Sequence, residues 1–146
     1  PGPQGLQGIQ GPSGVVTSAF TSGPGTNPTA TRDFLAPFVT VSVVAGQDVF
    51  VVSHKAFGSI VPGGASSLDL FICYRDAGSA AVPTTVGNGA LGTMVPQSTR
   101  ILMGLSAVIE NLATGSWEVS LCGHDNGNGN WNNNEWGYTS AIVYQT

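Results

Sequence analysis

The sequence predicts an all-β chain, a jelly-roll-like β-sandwich that assembles as a homotrimer. Three observations support this prediction. Apolar and polar residues alternate with a period of two over six segments, whereas helical spacing is nearly absent. Turn-forming residues, such as Asn88-Gly89 and the Asn/Gly run at 126–130, separate these segments. Glycine occupies every third position at the start of the chain.

The glycine repeat covers residues 1–14 and predicts a short collagen-like triple helix. Its glycines are Gly2, Gly5, Gly8, Gly11 and Gly14. Three polyproline-II chains can wind together only where every third residue lacks a side chain, because nothing larger fits on the shared axis. We therefore expect three copies of the chain to associate, with these triplets forming the end of a longer stalk.

The residues after the repeat suffice for one domain of ordinary size. From 15 to 37 the sequence is rich in Thr, Ser, Gly and Pro without a sustained period, so we expect a connector with one short strand at most. We assign 38–146 to a β-sandwich head. Its predicted strands are 38–44, 49–57, 68–75, 99–109, 116–123 and 136–145.

The last predicted strand is strongly apolar. Trp136, Tyr138, Ile142 and Tyr144 share one face, and we expect this face to meet that of 99–109 across two sheets about 10 Å apart. An exposed apolar terminal strand would invite aggregation. We therefore expect it to be central in its sheet or near the trimer axis.

Charged residues are scarce, with four basic and eight acidic side chains and a net charge of −4. The scattered basic residues predict no nucleic-acid partner, and no apolar run reaches the roughly 18 residues that would span a bilayer. The excess apolar surface predicts a subunit interface. Low charge with abundant Gly, Asn, Thr and Ser suits an extracellular appendage on the surface of a cell or virion.

Cys73 and Cys122 are the two cysteines, and neither belongs to a zinc-ligand motif. Alternation places each of them on the strand face opposite the aliphatic residues of its strand. This arrangement allows a disulfide between neighbouring strands. Two half-buried free thiols are the alternative.

The sequence offers little for catalysis, and we expect no enzyme. Residues 87–92 fit the GxGxxG pattern but are not followed by a helical segment, so we interpret them as a flexible loop between strands. His54 alternates with Phe50 and Val52, which indicates a core or interface position. His124 is a candidate ligand or pH-sensitive contact.

The polar loop 124–136 is the candidate ligand-binding site. Its carboxylate and amide oxygens are of the kind that calcium prefers, and Trp131, the tryptophan we expect to be exposed, offers a flat face for a sugar ring. Trp136 is expected in the core. The candidate residues are Asp125, Asn126, Asn128, Asn130, Trp131, Asn133 and Glu135. Their spacing does not match an EF-hand, so we assign no metal site, and a plain structural hairpin is the alternative.

Glycine triplets that run into an all-β domain with the aromatic strand 138–144 resemble bacterial and bacteriophage collagen-like proteins. The architecture is also similar to complement and tumour necrosis factor-like heads. This resemblance implies a head that nucleates and registers three stalk chains, as in a surface fibre or phage tail fibre. It also implies a recognition surface. The alternative function is therefore a lectin-like adhesin tip that binds a surface glycan or host receptor through the 124–136 loop.

Overall fold

The computed structural model describes Gly2 and residues 14–146, and over this part of the chain the predicted all-β fold class is confirmed. The strands are β1 (Val15–Gly23), β2 (Asp33–Phe34), β3 (Val39–Val43), β4 (Gln47–Ser59), β5 (Ala65–Asp76), β6 (Thr84–Val95), β7 (Thr99–Ile109), β8 (Gly115–Asp125) and β9 (Gly137–Gln145). None of the described residues belongs to a helix long and apolar enough to cross a membrane. Gly5, Gly8 and Gly11 of the predicted triple helix lie outside the described residues.

Two antiparallel sheets form the sandwich. The first sheet has the order β1-β9-β4-β7, and the second has the order β2-β8-β5-β6, with β3 also paired to β8. The chain passes repeatedly from one sheet to the other, which is the jelly-roll arrangement. β9 lies between β1 and β4, so the terminal strand is central in its sheet, as expected.

The core fills the space between the sheets with aliphatic side chains. Val51 and Val143 from the first sheet and Leu70, Ile72 and Leu121 from the second are at most 1% exposed. Each such side chain contributes roughly 1.5 to 3 kcal/mol on burial. The alternation that predicted these strands therefore reports the inward face correctly for β5 and β8.

Residues 15–37 belong to the sandwich, which differs from the connector expected there. β1 pairs with β9 along its length, and Leu35 and Ala36 are buried in the core. The inward residues of β1 include Ala19 and Thr21, which are small or polar, so the alternation is weak in the sequence. The first sheet thus begins directly after Gly14.

The buried side chain of Lys55 holds part of this segment in place. Its Nζ donates hydrogen bonds to the backbone oxygens of Thr26, at 2.6 Å, and Leu35, at 3.0 Å. Lys55 is 1% exposed, and desolvation by burial lowers its pKa from 10.5 to about 8. The inner side of β4 therefore carries a cation whose hydrogen-bond partners are neutral carbonyl groups.

Residues 87–92 are also different from the prediction, because they lie within β6 rather than in a flexible loop. Gly87, Gly89 and Gly92 have positive φ angles, and the pairing of β6 with β5 shifts register in three places. Glycine adopts these angles without a steric penalty, so β6 bends at each of them and stays paired. These glycines, which predicted a loop from the sequence, instead lie at bulges within β6.

The apolar face of β9 points away from the core, which corrects the predicted packing. Thr139, Ala141 and Val143 face inward and are buried, whereas Tyr138 is 39% exposed on the outer side. Trp136, expected in the core, precedes β9 and is 51% exposed. Both faces of β9 carry apolar residues, so alternation alone did not identify the inner one.

Candidate subunit interface

The loop 124–136 is folded against the edge of the sandwich, and the expectation that Trp131 is exposed is wrong. Its side chain is 1% exposed, packs edge-on against Phe57 at 6.2 Å between ring centroids, and donates its indole N–H to the Ser66 oxygen. The backbone of this loop extends the pairing of β9 with β4, since Glu135 N–H donates to Ala56 O. Trp131 is therefore a core residue that anchors the loop.

The carboxylate of Asp125 is used within its own turn. Asp125 is buried, and its two oxygens accept hydrogen bonds from the N–H groups of Gly127 and Gly129, each at 2.7 Å. Asn126 donates to Asp69, and Asn130 donates to the Gly64 oxygen. These side chains hold the turn together, as asparagine and aspartate commonly do.

The remaining candidate residues of the loop are divided between contacts and solvent. Asn133 accepts a hydrogen bond from Arg100, which also pairs with Glu135 at 2.7 Å, and Asn128 is exposed. Within the described part of the chain, no three His, Cys, Asp or Glu side chains are grouped as a metal site would require. The side chains of Asp125, Asn126, Asn130 and Asn133 are thus engaged in hydrogen bonds within the chain.

Cys73 and Cys122 form a disulfide between the adjacent strands β5 and β8, with 5.8 Å between their Cα atoms. Together with Phe34 they make a small buried cluster, separate from the main core.

His124 lies next to Asp69, with 3.5 Å between Nε2 and Oδ2, and stacks on Phe71. His124 is thus part of the outer surface of the second sheet.

The most distinctive surface of the molecule is the outer side of the first sheet, which we call the open face. It carries large apolar side chains from all four strands, and none of the other described elements covers them. They are Phe20 on β1, Phe50 and Val52 on β4, Leu102 and Val108 on β7, and Tyr138, Ile142 and Tyr144 on β9. Phe20 is 66% exposed and Leu102 is 65% exposed.

Aromatic rings form a ridge across one half of the open face. Phe20 stacks with Tyr138 at 6.4 Å, and Tyr138 stacks with His54 at 5.2 Å between ring centroids. The ridge runs from the edge strand β1 across β9 to β4. His54 therefore occupies the outer surface with Phe50 and Val52, and its predicted core position is excluded.

Beyond this ridge the open face is recessed. A shallow hollow of about 360 Å³ is lined by Val52, His54, Leu102, Gly104 and Ser106, among others. Gly104 lies directly opposite His54 in the β4–β7 pairing, and a Cβ at position 104 would come within 2.5 Å of the His54 Cβ. Glycine at this position allows the imidazole to lie flat and leaves the hollow open.

Charged groups are confined to the ends of the open face. Asp48 lies near the start of β4, and Arg100 lies near the start of β7, where it pairs with Glu135. Depletion of charge around an apolar centre is typical of the core of a protein interface.

Comparison with known proteins adds little to this description. No protein-family profile matches the chain, and no curated protein matches its sequence. Structures of infectious bursal disease virus are similar to it. The Gx strain structure has a TM-score of 0.44 and 15% identity, covering 98% of this chain and 38% of that one. The VP2 subviral particle has a TM-score of 0.43 and 13% identity, covering 98% of this chain and 37% of that one. The chain therefore spans less than two fifths of the length of the chains to which it is similar.

Proposed function

We propose that this chain is the trimerisation head of a surface-exposed collagen-like fibre, and that three heads associate through their open faces to register the three stalk chains. Its role is structural rather than catalytic. The observation that carries the proposal is the apolar open face on the sheet whose first strand directly follows the glycine triplets. A triple-helical stalk needs three chains, and the uncovered apolar face favours a partner that covers it. Further copies of this chain would meet both needs.

The size of the open face supports this proposal. Four strands about 4.8 Å apart and nine residues long at about 3.3 Å each cover roughly 600 Å² before side-chain relief is counted. Contiguous apolar patches beyond a few hundred square ångströms mark interaction sites in soluble proteins. Stable interfaces bury about 800 Å² on each partner, so the flat area of the open face alone supplies roughly three quarters of what a stable interface buries.

The stalk depends on such a head for energetic reasons. Gly-X-Y triplets as few as those in residues 1–14 offer few interchain hydrogen bonds against the entropy of ordering three chains. A head that holds three chain starts together removes most of this cost by raising their effective concentration. Assembly of the heads would therefore precede and align the triple helix.

Two features support a location outside the cell or on a virion surface. Disulfides persist mainly in oxidising compartments, and the Cys73–Cys122 bond crosses adjacent strands of the second sheet. Collagen-like triplets are typical of extended surface structures. The alternative, a glycan-binding tip, has lost its main support, because the buried Trp131 cannot present a flat face to a sugar.

The test is the mass of the 1–146 chain in solution, measured by light scattering or sedimentation. We expect about three times the chain mass of 14.9 kDa. Phe50→Asp places a charge in the middle of the open face and should yield folded monomers. The matched control is Leu91→Asp, since Leu91 is 65% exposed on β6 of the second sheet and should leave the trimer intact.

A second readout connects the head to the stalk. The circular dichroism signal of the triple helix should be present in the wild-type chain and in Leu91→Asp, and should disappear in Phe50→Asp. A monomeric wild-type chain would refute the proposal. A trimer that persists in Phe50→Asp would place the interface on another surface.

A further inference from the structure

The open face contains two different patches at opposite edges of the first sheet, and this difference bears on how the subunits meet. A closed ring of three subunits is built from a heterologous contact, in which one patch of each subunit meets a different patch of the next. A twofold dimer would instead use one self-complementary patch. The following inference rests on the proposed function and specifies its contact.

The first patch is the projecting ring of Phe20. Phe20 lies on the edge strand β1, is 66% exposed, and stacks against Tyr138 on the neighbouring strand β9. Its neighbours on the outer side of β1 are Ser18 and Ser22, which are exposed and small. The ring is therefore the large apolar group at this edge of the open face.

The second patch is the hollow around Gly104 and Ser106 on β7, the other edge strand of the same sheet. Its walls include the apolar side chains of Val52 and Leu102, and its floor has no bulky side chain at position 104. A volume of about 360 Å³ is enough to accept one aromatic ring. This hollow is three strands from Phe20, roughly 14 Å across the sheet.

The pairing register puts both patches at the same level along the strands. Phe20 pairs with Ser140, Ser140 pairs with Val52, and Val52 pairs with Ser106. These residues form one row across the first sheet. Our proposal places the threefold axis parallel to these strands. Rotation about such an axis preserves the level of every residue, and the Phe20 of one subunit then meets the Val52–Ser106 row of the next.

We propose that the ring of Phe20 from each subunit inserts into the hollow lined by Val52, Gly104 and Ser106 of the neighbouring subunit, and that this contact repeats three times around the axis. The ring buries its exposed surface, and the hollow gains a side chain that fills it. The two patches lie on opposite edge strands, so each subunit contacts both of its neighbours. Three such contacts close the trimer, and every Phe20 side chain and every hollow is then occupied.

Cysteine crosslinking tests this contact without removing Phe20. Ser22→Cys lies beside Phe20 on β1, and Ser106→Cys lies in the hollow; both positions are exposed, and the native cysteines are already bonded to each other. A chain carrying both substitutions should give covalent trimers with a short bis-maleimide reagent in denaturing electrophoresis. Each single substitution should give no covalent species.

Other outcomes would overturn the inference. Covalent dimers from Ser22→Cys alone would show that β1 meets β1, as in a twofold contact. A chain that is trimeric by light scattering but gives no crosslink in the double variant would show that the heads meet elsewhere, with the proposed function intact. A monomeric wild-type chain would refute the proposed function itself.

A third variant checks the part played by the ring. Phe20→Ser in the double-cysteine background should abolish the covalent trimer and lower the mass in solution to that of a monomer. Phe20→Leu, which keeps an apolar side chain of similar reach, should retain partial crosslinking. If Phe20→Ser crosslinks as well as its parent, the hollow does not receive this ring.

Discussion

The two outer surfaces of the sandwich are built from the same alternating strands but are stabilised in different ways. On the second sheet, Arg75 pairs with Glu118 at 2.7 Å and lies over the Phe34 ring, and the disulfide closes the cluster beneath it. We call this the closed face. Arg75 and Glu118 find partners within the chain, whereas the apolar groups of the open face contact one another and remain exposed among the described residues.

Under the proposed function, this difference separates stability from assembly. Interactions on the closed face are complete in a single subunit, so their loss should change the free energy of unfolding. Side chains on the open face would gain contacts when another subunit covers them, so their loss should change the dissociation constant of the proposed trimer.

Loss of the disulfide should have the largest effect on stability. The bond joins residues 49 positions apart, and opening a loop of that length costs about 4 kcal/mol by chain entropy. The double variant Cys73→Ala, Cys122→Ala should show this loss in urea unfolding, measured in the monomeric Phe50→Asp background so that association does not contribute. In the wild-type background the mass in solution should stay that of a trimer. A loss of trimer at temperatures where the fold persists would show that the two faces are coupled.

Lys55 should make stability depend on pH by about 3 kcal/mol. Burial lowers its pKa from 10.5 to about 8, so between these values the unfolded chain holds a proton that the folded chain has released. The free energy of unfolding should therefore rise as the pH increases from about 8 to about 10.5, and be lower and flat below that window. Lys55→Met, in the same monomeric background, should remove this rise.

The difference between the wild-type and Lys55→Met curves isolates the lysine from the tyrosines that titrate in the same range. Assembly should not respond, because Lys55 faces the core. If the free energy of unfolding depends on pH in the same way for both proteins, the pKa of Lys55 is not lowered in the folded chain.

The sequence predicted the sandwich because alternation is strong where one strand face is buried and the other is solvated. β3, β4, β5 and β7 meet that condition over most of their length and were predicted within a few residues. β8 was predicted as closely, although both of its faces are buried from Glu118 to Gly123. Alternation allowed the disulfide, because Cys73 and Cys122 lie on the strand faces opposite to Ile72 and Leu121, but it left two free thiols as the alternative. For these elements local pattern and tertiary packing agree.

The failures have physical causes of their own. β1 has small inward residues, and β6 is bent by glycines at positive φ, so neither shows a clear period. Both faces of β9 carry apolar residues. The alternation in the sequence therefore does not tell which face packs against the core of its own chain and which is left for a partner. Trp131 was misjudged because its asparagine neighbours bind the backbone rather than water.

His54 provides the smallest and most specific test, because it lies next to Lys55 in the chain but on the opposite face of β4. Its ring stacks on Tyr138 from β9 and faces Gly104 on β7, while the charged groups Asp48 and Arg100 lie toward the ends of the open face. When a second subunit covers this surface, a positive charge at position 54 would lose water without gaining a described carboxylate in its own subunit. We therefore expect the substitution His54→Lys to weaken assembly.

Sedimentation of the wild-type chain and of His54→Lys measures this effect. The dissociation constant of His54→Lys should be about tenfold higher per subunit, equivalent to about 1.4 kcal/mol. His54→Phe keeps a flat ring against Tyr138 and is the matched control, because it should leave the trimer intact. Tighter assembly of His54→Lys would show that position 54 meets an acidic group of the neighbouring subunit. Lys55 and position 54 are adjacent on β4, so a cation at one position acts on folding and a cation at the other acts on assembly, according to the face on which each side chain lies.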